Sequence, residues 1–549
     1  MTTTPPPLRW WGWGDRRAEI PTGLAALLHD ELRLDVGLDA QRAEPMPPQL
    51  PESRIGGALL DALRAICPGD GVDVSDAARL RHAGGRSYLD LLALRNPTLE
   101  HAPDAVVFPR GAGDVAAILQ ACGEAGCAVV PFGGGTSVVG GVRPLSGRHA
   151  CVIALSLRRL NRLRSVDTTS LTATLEAGMT GPEAEAALGE HGLTLGHHPQ
   201  SFEYATVGGF AATRSAGQAS GAYGRFDDLV LGLRCVTPSG ELDIASHPAT
   251  AAGPSLRQLV LGSEGRVGVI TEVTVRVRHR PRGGRYEAWS FRSFDAGVNA
   301  LRAMAQASVT PDVARLSDAQ ETRVGMAMSA HGGLVGAAGR NYLRARRHTG
   351  GCVLILGWDS DAATLWSRRR IARGLARRHG GITLGASPGR SWLRGRYEGP
   401  YLRDSLLDAG VLVETLETAT SWTDLEKLRV AVAERLGTAL TDDGIPPLIG
   451  AHISHVYPSG ASLYFTVLAR PGDDRAARWR AAKSAACAEI LDNGGTITHH
   501  HAVGTDHRPY MEREVGRGGV AALAALAARC DPSGIMNPGK LIPDSATQL

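Results

Sequence analysis

The chain has 549 residues, of which 43% are hydrophobic and 21% are charged, and its formal net charge is +4. This length allows two or more domains with separate cores, and so small a net charge gives no support to nucleic-acid binding. The eight cysteines contain no C-x-x-C pair, which argues against a zinc ribbon and favours buried free thiols over a disulfide framework.

The ends of the sequence carry no recognisable address signal. The N-terminal stretch, MTTTPPPLRWWGWGD, lacks a basic region followed by an apolar one, so no signal peptide is expected. There is no run of 18 apolar residues, and the final ATQL is neither a peroxisomal nor an endoplasmic-reticulum tag. We therefore expect a cytoplasmic protein.

The first half of the chain changes character near residue 96. Residues 1–95 mix Pro-rich connections with short helical patterns, of which 56–67 is one. Residues 96–285 alternate strands and helices, which is typical of an α/β segment. The strands are predicted within 104–110, 127–132, 151–157, 171–179 and 268–281, and the helices within 113–126, which ends at a glycine, and 180–192, which has Pro in its first turn.

The second half predicts a different kind of sheet. Strand patterns at 286–294, 352–359 and 461–471 are separated by Ala/Arg-rich helices such as 365–380. This indicates a cap domain over 286–500, with an antiparallel sheet and helices on one face. A C-terminal segment, 501–549, contains an Ala-rich helix at 519–529 and is expected to fold back toward the first domain. The predicted fold class is α+β with two domains.

Three glycine-rich loops lie in the α/β segment. The loop PFGGGTS (131–137) follows a buried strand, and its glycines let backbone N–H groups approach a ligand closely. Such a nest of N–H groups suits a pyrophosphate, although a plain tight turn explains the same residues. Further clusters at 197–230 and 261–273 favour one extended, phosphate-bearing ligand. The loop matches neither G-x-G-x-x-G nor the P-loop pattern.

These three segments resemble the PCMH-type FAD-binding domain of the vanillyl-alcohol oxidase superfamily. Within it, the chain resembles the alkyldihydroxyacetonephosphate synthase (alkylglycerone-phosphate synthase) family, from RWWGWGD (9–15) to DPSGIMNPGKL (531–541). The resemblance implies an FAD domain over 96–285. Because Gly135 stands near the place of the histidine in covalently flavinylated relatives, it also implies non-covalent FAD.

The resemblance assigns the cofactor contacts to three groups of residues. The first would cradle the pyrophosphate, the second would line the flavin ring and ribityl chain, and the third would contact the other side of the cofactor. They are, in order, Pro131, Gly133, Gly134, Gly135, Thr136 and Ser137; Pro199, Ser201, Thr206, Gly208, Gly209 and Thr213; and Glu264, Gly268, Val269 and Ile270.

The substrate side departs from the metal-dependent dehydrogenases of the superfamily. Their H-x-G-D-G-N-x-H element is replaced by HISHVYPSGASLYF (452–465), which leaves Tyr464 in the place of a metal-ligating histidine. Their G-E-H-G-I-G element is replaced by HHHAVG (499–504). We expect no metal site, since adjacent side chains on an extended segment point to alternate faces and converge poorly on one ion.

The synthase family replaces the acyl group of acyl-dihydroxyacetone phosphate with a long-chain alcohol. The resemblance implies a flavin N5 adduct without net redox, which would need a base, cations for the anionic groups and an apolar tunnel. Further similar segments are VARLSD (313–318), YEGPYLRDSLLDAGVLVETLETATSW (397–422) and NGGTITHHHAVG (493–504).

By this resemblance Tyr464 would be the base, helped by a positive field from the histidines and Arg403, because an ordinary phenol is a poor base at neutral pH. His499, His500 and His501 would bind phosphate and tune proton transfer. Arg403 and Arg315 would bind an anionic group. The alternatives are a strand tyrosine with a satisfied hydroxyl, loop histidines, and a salt bridge from Arg403 to Asp404.

Other functions and partners stay open at this stage. An FAD-dependent oxidase or dehydrogenase of a hydroxy acid or alcohol fits the same scaffold, and a flavin-binding protein without turnover is a third hypothesis. The Arg-rich helices at 340–348 and 367–380 would contact anionic lipid or simply face water. A homodimer is expected by analogy with the family.

Overall fold

The computed structural model describes residues 8–36, 44–329, 339, 341–359 and 362–543. Two large hydrophobic cores organise the described chain. One lies among the strands and helices between residues 59 and 277, and the other around a large sheet between residues 289 and 469. The predicted α+β class is confirmed, since a region with one mixed and one antiparallel sheet is followed by a region with a large antiparallel sheet.

The first core contains a four-stranded sheet in which the predicted βαβ pattern is found. Its helix, Ala112–Ala125, ends at Gly126, whose left-handed φ of 63° favours glycine. The strands before and after this helix are Ala105–Val107 and Cys127–Phe132. Each pairs in parallel with Cys151–Ser156, which lies between them in the sheet. The spatial order is Val72–Asp73, Ala105–Val107, Cys151–Ser156 and Cys127–Phe132, the last of which runs into the loop 133–137.

A second, antiparallel sheet completes this region. The helix Gly181–Gly189 begins with a capping box between Thr180 and Glu183 and with proline in its first turn, as the sequence predicted. The spatial order of the five strands is Leu163–Asp167, Thr172–Glu176, Val269–Arg276, Val230–Thr237 and Gly240–Ile244. A small two-stranded sheet pairs Leu193–Thr194 with Arg278–His279.

The second core is built on a seven-stranded sheet in which all the pairings are antiparallel. The predicted strands at 286–294, 352–359 and 461–471 are confirmed. The other four strands were not predicted from periodicity. The spatial order is Ile382–Gly385, Arg285–Phe291, Cys352–Trp358, Val313–Ser317, Leu448–Ile453, Gly460–Ala469 and Leu412–Ser421.

Helices cover these sheets. The remaining helices up to residue 260 are Thr22–Leu32, Gly57–Ile66, Asp76–Arg81, Tyr88–Leu94, Val207–Thr213, Ser220–Tyr223, Phe226–Leu229 and Leu256–Val260, with a 3₁₀ turn at Leu157–Arg159. The later helices are Phe294–Gln306, Ala319–Met328, Ala362–Arg378, Ser387–Gly395, Gly399–Asp408, Leu425–Leu440, Arg475–Asp492 and Met511–Cys530, with a 3₁₀ turn at Arg508–Tyr510.

The N-terminal residues divide between the two cores. The helix Thr22–Leu32 buries Leu24, Leu28 and Leu32 in the core of the seven-stranded sheet. The helix Gly57–Ile66 instead buries Leu59 and Leu63 in the first core. The boundaries 1–95, 96–285, 286–500 and 501–549 stay a prediction.

Three further observations concern the basic helices, the length and polarity of the described helices, and the cysteines. The predicted basic helix at 367–380 is found as the helix Ala362–Arg378, which ends two residues earlier, whereas the segment 340–348 begins at a residue outside the described part of the chain. Among the described helices, none has the length and apolar character needed to cross a bilayer. All eight cysteines are buried and unpaired, as predicted.

Candidate active site

Four strands of the large sheet bring polar side chains into one row. Tyr464 lies opposite Glu417 on one neighbouring strand and opposite His452 on the other. His452 in turn lies opposite Ser317. Because directly opposed residues share a sheet face, this register places a carboxylate, a phenol and an imidazole side by side although the sequence separates them widely.

Glu417 organises the histidine triplet. Its side chain is fully buried, and one oxygen accepts the N–H of His499 at 2.7 Å. The other oxygen accepts the N–H groups of His500 at 3.1 Å and His501 at 2.9 Å, together with the Thr498 hydroxyl at 2.6 Å. Burial alone would raise the pKa of Glu417, but the three imidazoles and the Thr498 hydrogen bond outweigh it and hold the pKa well below its ordinary value.

A second buried carboxylate holds the end of the same segment. Glu264, in the glycine cluster before the strand Val269–Arg276, accepts the N–H of Val503 at 2.8 Å and that of Gly504 at 2.7 Å. Burial raises the pKa of Glu264 to about 7, although these two hydrogen bonds oppose the shift. The segment 498–504 is thus held by one carboxylate from the seven-stranded sheet and one from the loop before Val269–Arg276.

The histidine rings converge, contrary to the expectation that adjacent side chains diverge. The Nδ1 atoms of His499 and His500 are 2.9 Å apart, and His455 lies 4.8 Å from His499 between ring centres. The reason is that Glu417 draws three successive N–H groups to one point, so the segment bends and is not an extended strand. Tyr457 closes the cluster, with its hydroxyl 2.6 Å from Nε2 of His499.

This convergence also bears on the metal prediction. His455, His499 and His500 each offer a nitrogen, and these atoms lie within 4.8 Å of one another. The group is therefore compatible with a cation. Its nitrogens are nevertheless engaged with protein partners, since His455 contacts the Gly217 carbonyl at 3.2 Å and His499 contacts Tyr457. The absence of a metal site stays a prediction.

Burial controls the charge of these histidines. Desolvation lowers the pKa of His501 and lowers the pKa values of His455, His499 and His500 well below the ordinary value, because their charged forms lose hydration. The cluster is accordingly neutral at pH 7, and its imidazoles bind protons more weakly than an exposed histidine does.

Tyr464 lies against this cluster. Its ring stacks on His452 at 4.9 Å between centres and meets His501 edge-on at 5.4 Å. Its hydroxyl donates to Thr415 Oγ1 at 3.0 Å. Burial raises the pKa of Tyr464 to about 12, and Arg315 opposes the shift only weakly. The positive field expected from the histidines and Arg403, which would favour a phenolate, is not found among the described residues.

The two arginines expected to bind anions lie in different surroundings. Arg315 lies beside the row of polar side chains, with Nη1 3.0 Å from Nε2 of His452 and Nη2 2.9 Å from Glu321. Glu321 also contacts Nδ1 of His452 at 2.8 Å. This places Arg315 one residue away from Tyr464, through His452.

Arg403 instead forms the salt bridge to Asp404, which was the alternative to a role in binding substrate. Its Nη2 lies 3.1 Å from Asp404, and its Nη1 donates to the Arg86 carbonyl at 2.6 Å. Asp404 also accepts the backbone N–H of Trp13. The Trp-Gly-Trp-Gly stretch near the N-terminus is therefore anchored by this pair, and no described contact joins Arg403 to Tyr464 or to the histidines.

The glycine loop has the donor set that a pyrophosphate needs. Within the described residues, no backbone carbonyl accepts a hydrogen bond from the N–H groups of residues 133–137. A Cβ on Gly133 would collide with Thr206, and one on Gly134 with the Tyr204 carbonyl. Free N–H groups on a loop that has no room for a side chain at Gly133 or Gly134 fit the phosphates of FAD.

The other expected cofactor residues lie close to this loop or in the sheet beneath it. Thr206 caps the helix Val207–Thr213 by accepting the N–H of Gly209, and the N–H of Gly208 donates to Ala177 at 2.8 Å. The segment with Pro199 and Ser201 precedes this helix. Gly268, Val269 and Ile270 lie in or beside a buried strand. Their contacts with the cofactor stay predictions.

Several residues of the site were not singled out from the sequence. Each lies inside or beside a motif that was noted, but nothing local marked it as part of the site. They are Glu417, His452, His455, Tyr457, Glu321 and Arg225, whose Nη1 donates to the His499 carbonyl at 3.1 Å.

Comparison with known proteins assigns the chain to a family. The family described as "FAD binding domain" matches residues 103–245, and "FAD linked oxidases, C-terminal domain" matches 280–541. Alkyldihydroxyacetonephosphate synthase of Dictyostelium discoideum is 31% identical over 98% of this chain and 93% of its own length. The chain belongs to the alkyldihydroxyacetonephosphate synthase family of FAD-linked enzymes.

Two further relatives agree with this assignment. The synthase of Trypanosoma brucei brucei is 32% identical, covering 91% of this chain and 83% of its own length. A solved alkyldihydroxyacetonephosphate synthase structure superposes with a TM-score of 0.82 at 29% identity, covering 97% of this chain and 99% of that one. The family resemblance seen in the sequence is confirmed, and FAD is the cofactor that the family implies.

The Glu417 contacts predict a measurable contribution to stability. In Glu417→Gln the amide NH₂ group faces at least one backbone N–H group that now donates to the carboxylate. Since that hydrogen bond is lost and two donors face each other, we expect the free energy of unfolding to fall by about 2 kcal/mol. The matched control is Glu426→Gln, an exposed salt-bridge residue, with an expected loss of at most about 0.5 kcal/mol. Denaturant unfolding checks both, and equal losses would contradict the role given to Glu417.

The buried histidines predict that acid destabilises the protein. A folded-state pKa below the unfolded value gives stability that is present above about pH 6.5 and lost as pH falls. His197, whose pKa burial lowers to about 3, alone contributes about 2 kcal/mol between pH 6.5 and 5. The other histidines with large downward shifts are His82, His198, His455, His499, His500 and His507.

Buried acids with raised pKa values work against this effect, and Glu264 and Asp318 have the largest raised values. Glu264, with a pKa of about 7, and Asp318, with a pKa raised by burial to about 6, favour the folded state as pH falls. Because the shifted histidines outnumber them, we expect a net loss of stability from pH 6.5 to 5. Denaturant unfolding at several pH values checks it, and a constant or rising free energy of unfolding would show it to be wrong.

Proposed function

We propose that the protein is an alkyldihydroxyacetonephosphate synthase-type transferase that replaces the acyl group of acyl-dihydroxyacetone phosphate with a long-chain alcohol, without net redox. The proposal is supported by the contact of Tyr464 with the histidine triplet, in the place where metal-dependent relatives carry a metal-ligating histidine. FAD, when bound, supplies the covalent catalysis that the exchange needs.

The residues of this chain divide the remaining tasks. Tyr464 is the proposed proton-transfer group. Because its pKa of about 12 keeps the phenol protonated at pH 7, Tyr464 can accept a substrate proton only after passing its own proton to a neighbour. The neutral imidazoles of His500 and His501, packed on its ring, are the proposed acceptors once the phosphate of a bound substrate raises their proton affinity.

Anion binding is assigned to Arg315 first. Its guanidinium lies beside His452, in the row that contains Tyr464, and it has a planar set of donors suited to phosphate or carboxylate. Arg403 is proposed to act on substrate only if its pair with Asp404 rearranges. The triplet itself would add neutral imidazole N–H donors toward the phosphate.

FAD is proposed to bind non-covalently. The loop at residues 133–137 contains no histidine, cysteine or tyrosine that could form a bond to the flavin ring. Its unused N–H groups would hold the pyrophosphate instead. Precipitating the purified protein with acid tests this point. Non-covalent FAD should appear in the supernatant and leave a colourless pellet, whereas covalently bound flavin would stay in the pellet.

The function is tested by an anaerobic turnover experiment. Purified yellow protein is mixed with palmitoyl-dihydroxyacetone phosphate and radiolabelled hexadecanol while the flavin spectrum and the lipid products are recorded together. We expect a labelled ether lipid and no net reduction of the flavin. Flavin bleaching by a hydroxy acid or an alcohol, without ether product, would favour the oxidase or dehydrogenase hypothesis and overturn the proposal.

Tyr464→Phe tests the proton-transfer role. Removing the hydroxyl should lower the exchange rate at least about 100-fold, the range typical of a lost acid–base group, while FAD content and stability stay near wild type. Tyr510→Phe is the control, because the Tyr510 hydroxyl contacts only Ser484 among the described residues. An unchanged rate in Tyr464→Phe, with Tyr510→Phe also active, would remove Tyr464 from the mechanism.

A further inference from the structure

An arginine-lined cavity of about 400 Å³ lies outside the row of polar side chains that surrounds Tyr464. Arg285, Arg369, Arg390 and Arg396 line it, together with His198 and Asp359. Its volume is within the range typical of small-molecule sites. No contact described for Tyr464 or the histidine triplet involves these arginines.

The charges that face this cavity are unbalanced. Arg369 is paired with Glu287, which its Nε reaches at 3.0 Å. Among the described residues, no carboxylate lies within salt-bridge distance of Arg285, Arg390 or Arg396. Among the described residues that line the cavity, Asp359 is the one carboxylate, and it already accepts the Tyr286 hydroxyl at 2.9 Å. The cavity therefore presents an excess of guanidinium groups, which suits a phosphate or a carboxylate.

Each helical wall also presents an apolar side chain next to its cation. Trp366 and Arg369 are three residues apart on the helix Ala362–Arg378, and Arg390 and Leu393 are three apart on Ser387–Gly395. Residues at this spacing share a helix face. Trp366 is 58% exposed, which is unusual for so large an apolar ring. Cations beside apolar rings and chains match a ligand that is both anionic and apolar.

The inner end of the cavity lies next to the segment expected to face the flavin. His198 lines it and directly precedes Pro199. Burial, with a smaller effect from Arg396, lowers the pKa of His198 to about 3, so the ring is neutral, and its Nδ1 is buried without a partner in the described structure. Arg285 and Arg390, in contrast, are exposed. The lining therefore extends from the surface to the cofactor-binding segment.

We propose that this cavity binds the anionic head group, a phosphate or a carboxylate, of an alkyl-chain amphiphile at a position separate from Arg315. The identity of the amphiphile rests on the proposed function, since acyl-dihydroxyacetone phosphate and the released fatty acid are both anionic amphiphiles. The shared chemistry is the anionic head group with an attached apolar chain.

Binding of simple probes to the FAD-containing protein tests the proposal without turnover. Dodecyl phosphate and laurate, below their micellar concentrations, should bind at least about tenfold more tightly than inorganic phosphate or dodecanol, because only they meet both the cations and the apolar groups. Calorimetric titration measures all four. Equal binding of dodecanol would refute an anion site, and equal binding of inorganic phosphate would refute an amphiphile site.

Variants locate the site. The double variant Arg390→Ala/Arg396→Ala should weaken dodecyl phosphate binding about tenfold or more, whereas Arg480→Ala, at an exposed arginine on the distant helix Arg475–Asp492, should not change it. If the double variant loses FAD, Trp366→Ala provides the same test from the exposed side of the cavity. Binding unchanged in a folded cavity variant would overturn the proposal.

The two proposals can fail separately. Formation of ether lipid together with cavity-independent amphiphile binding would refute this inference and leave the transferase function standing. Cavity-dependent binding of dodecyl phosphate without any ether product would refute the transferase function and leave the binding site standing.

Discussion

The active-site region depends on two buried carboxylates that hold one short segment. Glu417 from the large sheet and Glu264 from the glycine cluster together accept the backbone N–H groups of His499, His500, His501, Val503 and Gly504. An isolated buried carboxylate is costly, and hydrogen bonds to ionised groups are the strong ones that offset this cost. Because one acceptor lies on the seven-stranded sheet and the other just before the strand Val269–Arg276, the segment is tied to both parts of the fold.

The bend decides the chemistry available at the site. It brings the imidazoles of His499 and His500 together beside His455 and packs His501 on Tyr464. Since this environment excludes water, the histidines are neutral and the phenol is protonated. The resulting site can move protons between neutral groups, with Arg315 near by to provide a fixed positive charge.

The sequence predicted local features better than long-range ones. The glycine loop after a buried strand, the helix ending at Gly126 and three strands of the large sheet follow from turn residues and periodicity and were found. The strand with Glu417 was missed because ETLETATSW contains polar residues on its buried face, which hides the usual alternation. The opposition of Glu417 and Tyr464 depends on strand register between distant segments, which local patterns do not determine. The motif around Arg403 predicted a contact with substrate. In the structure Arg403 contacts Asp404 and the Arg86 carbonyl, and the second contact depends on tertiary packing that the motif does not reveal.

Hydrogen–deuterium exchange across residues 498–504 of the FAD-containing protein tests the central claim most directly. If Glu417 and Glu264 hold these amides, the peptide should exchange as slowly as the core strand Gly460–Ala469, and Glu264→Gln should speed exchange at Val503 and Gly504 first. Exchange as fast as that of the exposed loop at 246–250 would contradict the claim that the two carboxylates build this site.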